Sequence, residues 1–82
     1  MPRVVAIGSA ARVFTGGAAE IEVEAADVTQ MIAALEARFP GFGEHIERRM
    51  AIAIDGEIHQ DASAALLGPA SEVYLFPRIG GG

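Results

Sequence analysis

The segment from Val28 to Phe39 carries the clearest helical signal in the chain. Val28, Met31, Ile32, Leu35 and Phe39 stand at i, i+3, i+4, i+7 and i+11, which makes one apolar stripe. Asp27 ahead of it is a good N-cap, and Gln30 three residues later completes a capping-box pattern. Pro40-Gly41 closes the helix, because proline cannot supply the next hydrogen bond. The other apolar residues arrive in short runs: Val4 to Ile7, Ile21 and Val23 among glutamates, Met50 to Ile54, and Val73 to Phe76. One long amphipathic helix among several short strands is buried most simply by laying it across one sheet. A chain of 82 residues has room for one such pair of layers and no second domain.

The order of the remaining segments narrows the arrangement. Val4 to Ile7 reads as a strand that stops at Gly8-Ser9. Ser9 to Phe14 has little pattern, and Thr15-Gly16-Gly17 signals a turn. Glu20 to Glu24 alternates strictly, with Ile21 and Val23 facing a core and three glutamates facing water. These two strands form an antiparallel hairpin with a long connection. After the main helix, Phe42 to Arg49 is expected to hold a short helical turn. Met50 to Ile54 is a strand, Asp55-Gly56 a tight turn, and Glu57 to Gln60 a short return strand. Ala64 to Leu67 reads as one helical turn closed by Gly68-Pro69. Val73 to Phe76 is the last strand, stopped by Pro77. With the first and last strands together at the sheet centre, this is an α+β chain of β-grasp, or ubiquitin-like, architecture. It has a mixed four- to five-stranded sheet and one main helix. Residues 1–77 are expected to form the domain and 78–82 a flexible, glycine-rich C-terminal tail.

Composition removes several classes of function. There are 11 acidic residues against 6 basic ones, a net charge of −5, which argues against a nucleic-acid binder. All the basic residues are arginine, so lysine is absent. Cysteine is absent too, which rules out a disulfide scaffold, a thiolate metal site and a cysteine nucleophile. The start lacks the apolar core of a signal peptide, and no apolar run approaches the ~20 residues of a membrane helix. The expectation is a cytoplasmic protein with no membrane partner. The glycines at 8, 16 and 17 lack the lysine and the spacing of a phosphate loop. His45 and His59 lack metal-ligand spacing, and no serine has the context of a nucleophile elbow. Glu20, Glu22 and Glu24 make a solvated strand face. No self-contained active site, metal site or permanently bound cofactor is expected, and the chain by itself is not read as an enzyme.

The exception is the end, Arg78-Ile79-Gly80-Gly81-Gly82. Five extended residues reach about 17 Å. Glycine has no Cβ, so such a tail threads a narrow channel and leaves its terminal carboxyl carbon unhindered. A carboxylate is a poor electrophile until activated, and an acyl-adenylate would accept sulfur or an amine.

Val73-Tyr74-Leu75-Phe76-Pro77-Arg78-Ile79-Gly80-Gly81-Gly82 resembles the C-terminus of the MoaD/ThiS family of ubiquitin-like sulfur carriers. Ile52-Ala53-Ile54-Asp55-Gly56 resembles that family's Val-x-Val-Asn-Gly turn. Phe14-Thr15-Gly16-Gly17 and the helix ending at Pro40-Gly41 are similar as well. The resemblance covers essentially the whole chain. It implies that a ubiquitin-activating-type adenylating enzyme spends ATP on the Gly82 carboxylate. A sulfurtransferase persulfide then converts it to a thiocarboxylate, and a sulfur-accepting enzyme such as the molybdopterin synthase large subunit receives the sulfur. In this picture Gly81 and Gly82 carry the chemistry, while Phe76, Arg78, Ile79 and Gly80 meet the partner. The first destination is molybdopterin, with the chain as the synthase's small subunit. Sulfur supply for cysteine or another metabolite is the close variant, a ubiquitin-like protein modifier the second class, and a β-grasp interaction module with incidental glycines the third. The chain departs from the family at Gly68-Pro69-Ala70-Ser71-Glu72, where relatives carry an Asp-Gly-Asp-type turn. It also has Arg78 in place of a second proline, and Gly80 in place of a frequent Ala or Thr. Those departures bear on which partner is met.

Overall fold

A computed structural model describes residues 1–59 and 61–78. The elements are β1 (Arg3–Ala6), α1 (Ser9–Thr15), β2 (Glu20–Glu22), α2 (Val28–Arg38), α3 (Phe42–Arg49), β3 (Met50–Ile54), β4 (Glu57–His59) and β5 (Glu72–Pro77). The strands form one mixed sheet in the order β2-β1-β5-β3-β4. β1 and β5 run parallel at its centre, and every other neighbouring pair is antiparallel. This is the β-grasp arrangement, with five strands.

One face of the sheet meets the helices. Val4 and Ala6 of β1, Val73 and Leu75 of β5, and Met50, Ile52 and Ile54 of β3 are buried against Val28, Met31 and Leu35 of α2 and Phe42 and Ile46 of α3. Burying such side chains is the main favourable term in folding, worth about 1.5–3 kcal/mol each. Ile32 and Phe39 complete the α2 stripe but are only partly buried. Asp27 caps α2 as its sequence implies, its Oδ1 accepting from the Gln30 N–H at 2.7 Å. Gln30 returns a bond to the Ala26 N–H at 3.0 Å, one residue earlier than in the reciprocal capping box.

Three expectations about helices are corrected. Ser9–Thr15 is a two-turn helix, α1, which buries Ala11 and Thr15 and stacks Phe14 on Phe42. Its apolar spacing is too short to show helical periodicity, so tertiary packing decides it. Phe42–Arg49 is likewise a complete helix rather than one turn. Its N-terminal residue Gly41 has no side chain to cap it. The Glu36 carboxylate of α2 does so instead, accepting the Gly41 N–H at 2.8 Å and the Gly43 N–H at 2.9 Å. Glu36→Ala is therefore expected to cost about 1–2 kcal/mol in urea unfolding, as losing a charged cap does. An unchanged midpoint would mean that water replaces the carboxylate at no cost. Finally, Ala64–Leu67 is not helical. The Val28 N–H donates to the Ala65 oxygen and the Leu67 N–H to the Ala26 oxygen, which fastens this loop to the start of α2.

The last two strands end differently from each other. Asp55 and Gly56, with φ of 49° and 88°, make the tight turn between β3 and β4. The Asp55 side chain also accepts the Glu72 N–H at 2.9 Å. Gln60, expected at the end of the return strand, lies outside the described residues. β5 runs through Pro77, which pairs with Met50, rather than stopping before it. Gly8 closes the neighbouring strand end at φ 103°, and a Cβ there would stand 3.0 Å from the Pro77 ring.

Candidate functional site

β5 alternates strictly in space although its sequence is apolar at every position from Val73 to Phe76. Val73 and Leu75 face the core with no exposure, so Tyr74 and Phe76 stand on the opposite, helix-free face and are half-buried there. Register carries this across the sheet. Val5 pairs with Tyr74, Tyr74 with Ala53, and Ala53 with Ile58, a row spanning four strands. Phe76 pairs with Ala51 in the next row. Ile58 is 70% exposed at the far edge. Single exposed apolar residues are ordinary, but an aligned row next to the end of β5 has the form of an interaction surface.

The other end of this face is charged. Arg3 sits in register with Glu22 on one side and Glu72 on the other. Its guanidinium donates to the Glu72 carboxylate, and at 3.3 Å to that of Glu20. Glu72 first, and then Glu20, hold the Arg3 guanidinium above its ordinary range by opposite charge. These groups are exposed, so their contribution to stability is small. They mark the polar rim of the apolar rows.

Phe76 thus lies on the open face rather than in the core. Arg78 follows Pro77 and is bonded to its own domain. Its backbone N–H donates to the Arg49 oxygen at 3.0 Å, its Nε to the Met50 oxygen at 3.1 Å, and its Nη2 to the Glu47 oxygen at 3.3 Å. Ile79, Gly80, Gly81 and Gly82 lie outside the described residues. Among the described residues no group of three or more His, Asp or Glu is placed to hold a metal ion, and no helix is long and apolar enough to cross a membrane.

Sequence reasoning singled out Phe76 alone on this face and missed Val5, Tyr74, Ala53 and Ile58. The signal was present. A strand with one wet face should alternate, and both Met50–Ile54 and Val73–Phe76 are apolar throughout. Two unbroken runs paired in one sheet imply a second apolar face.

The model of the ThiS family matches residues 8–82. CysO of Mycobacterium tuberculosis, described as an antigen, superposes with a TM-score of 0.85 at 20% identity, over 96% of this chain and 100% of that one. A chain of the BexX/CysO complex of Amycolatopsis orientalis gives 0.85 at 21% identity, over 100% of both chains. The small archaeal modifier protein 1 of Methanosarcina acetivorans gives 0.81 at 20% identity, over 99% of this chain and 95% of that one. Comparison with curated protein sequences gives no match. At such identities the structural likeness is one of fold.

Proposed function

The chain belongs to the ThiS family of ubiquitin-like sulfur carriers, and from that premise we propose that its Gly82 carboxylate is the group that carries sulfur. The observation behind this reading is that the family match runs to residue 82, so Gly81 and Gly82 fall within it. An adenylating partner transfers AMP from ATP to the carboxylate and releases pyrophosphate. The terminal sulfur of a cysteine persulfide on a sulfurtransferase then attacks the acyl carbon, and AMP leaves. A thiol cleaves the resulting acyl disulfide to free the thiocarboxylate. The acceptor takes the sulfur, and water restores the carboxylate. The carrier contributes a docking surface and an unhindered acyl group, and ATP stays with the partner. We place this cycle in the cytoplasm and its first destination in molybdopterin synthesis, with the chain beside a larger synthase subunit. Sulfur for cysteine or another metabolite is the variant destination. The absence of lysine suits a carrier, since one activated chain finds no lysine on another to form an isopeptide bond.

The test is the intact mass of the purified chain before and after incubation with the adenylating partner, ATP and a sulfur donor. A gain equal to one oxygen exchanged for sulfur is expected. No gain with an active partner, together with conjugates on lysines of other proteins, would shift the chain to the modifier class.

The open sheet face is the docking surface in this reading. Phe76→Asp and Ile58→Asp are each expected to weaken binding to the adenylating partner by about ten- to a hundredfold, the effect of losing an interface anchor. Neither residue belongs to the buried core, so thermal unfolding should shift little. Unchanged affinity in both variants would place docking elsewhere.

A further inference from the structure

Arg78 occupies three carbonyl oxygens at one corner of the fold. Two of them, on Glu47 and Arg49, belong to the last turn of α3, where a helix leaves its carbonyls without intrahelical donors. The third, on Met50, begins β3. A basic side chain near a helix C-terminus is favoured on electrostatic grounds as well. Pro77 has no N–H, so the Arg78 amide is the donor that carries pairing beyond it. One residue therefore closes the end of α3 with its side chain and extends the β5–β3 contact with its main chain.

We propose that Arg78 is a positioning residue for activation of the tail. It ties the root of residues 79–82, two positions after Phe76, to the end of α3 and the start of β3. This rests on the carrier reading above. Four extended residues reach about 14 Å. With the root anchored, a partner docked on the sheet face has only residues 79–82 to order as the carboxylate enters its channel. With the root loose, at least one more residue must be ordered as the tail enters the partner's channel. Ordering one residue costs roughly tenfold in an equilibrium, and that cost falls on the reacting complex. A direct contact between Arg78 and the partner makes the opposite demand, because the guanidinium would have to leave its carbonyls to serve it.

Two measurements test the assignment. The first uses the free chain. Nitrogen-15 spectra of wild type should show a slowly exchanging Arg78 Nε–H with through-bond coupling to the Met50 carbonyl. A rapidly exchanging, uncoupled Nε–H would overturn the anchor. The second is ATP–pyrophosphate exchange by the adenylating partner with wild type, Arg78→Lys and Arg78→Ala, each checked by circular dichroism and thermal unfolding. Both variants should lose about tenfold in kcat, with KM within twofold of wild type. Lysine should not rescue, since one ammonium on a flexible stem does not reproduce the planar fork that meets two carbonyls. A raised KM at unchanged kcat would make Arg78 a partner contact. Full rescue by lysine would make charge the relevant property. Both results overturn the proposal. Failure of wild type itself to be activated would overturn the carrier reading, while the spectra would still decide the anchor.

Discussion

A chain lacking Gly81 and Gly82 is expected to form no thiocarboxylate while unfolding at the same temperature as the intact protein. The loss should be complete because the truncated chain ends at Gly80, about 7 Å short of the original carboxylate. A reacting carbon displaced by even about 1 Å from its attack geometry can cost a hundredfold, and this displacement is several times larger. Stability should not follow, because among the described residues the sheet and the core cluster are assembled from residues no later than Pro77. Deleting Gly82 alone is the more informative control. It leaves a Gly-Gly end but one residue of reach less, so it separates the chemistry of the terminal residue from its position. Intact mass after incubation with the adenylating partner, ATP and a sulfur donor reads both variants. A normal mass gain in the chain without Gly81 and Gly82 would sink the assignment of the reacting position to Gly82, since the carboxylate of Gly80 would then serve as well.

The largest effect on stability is expected at Phe42. It is the largest of the fully buried side chains, and it stands where the helices meet. Its ring stacks on Phe14 of α1 at 5.4 Å between centroids and lies edge-on to Phe39 after α2 at 6.2 Å. Such aromatic pairs add to the value of the buried area itself. Phe42→Ala removes the ring that joins these elements and should cost about 3–5 kcal/mol in denaturant unfolding. Domains of this size have total stabilities toward the lower end of about 5–15 kcal/mol, so the variant should be close to unfolding at room temperature. Phe42→Leu keeps much of the volume and should cost markedly less. Equal losses for the two would show that the aromatic stacking, not the filled space, is what matters.

These expectations rest on elements of very different visibility in the sequence. α2 was legible because it carries every local signal at once: cap, stripe and breaker. The Asp55-Gly56 turn was legible because few residue pairs accept two positive φ angles in succession. The neighbouring helices were not. α3 is capped by Glu36, five residues before Gly41, from a different helix, so no local pattern announces its start. α1 exists because Ala11, Phe14 and Thr15 find a surface made by distant residues, and it offers no stripe of its own. The loop at Ala64–Leu67 has a helix-like composition but spends its hydrogen bonds on the start of α2.

The candidate site divides in the same way. Sequence alone pointed to the end of the chain as the place for the proposed chemistry. Three glycines after a closed strand need no tertiary context to be unhindered, and the absence of lysine and cysteine is a matter of composition. It also determined the β-grasp order of elements, because a single apolar helix and several short strands leave few ways to bury both faces. Tertiary structure alone decided the apolar sheet face that we propose as the docking surface. Val5, Tyr74, Ala53 and Ile58 form one row only because register aligns four strands drawn from opposite ends of the chain. The hydrogen bonds of Arg78 were decided there too. In sequence it is a charged residue beside the tail, and in space the carbonyls within its reach belong to residues about thirty positions earlier. Periodicity reports which face of an element is apolar. It carries no record of which distant groups will stand opposite, and that depends on how the strands pair.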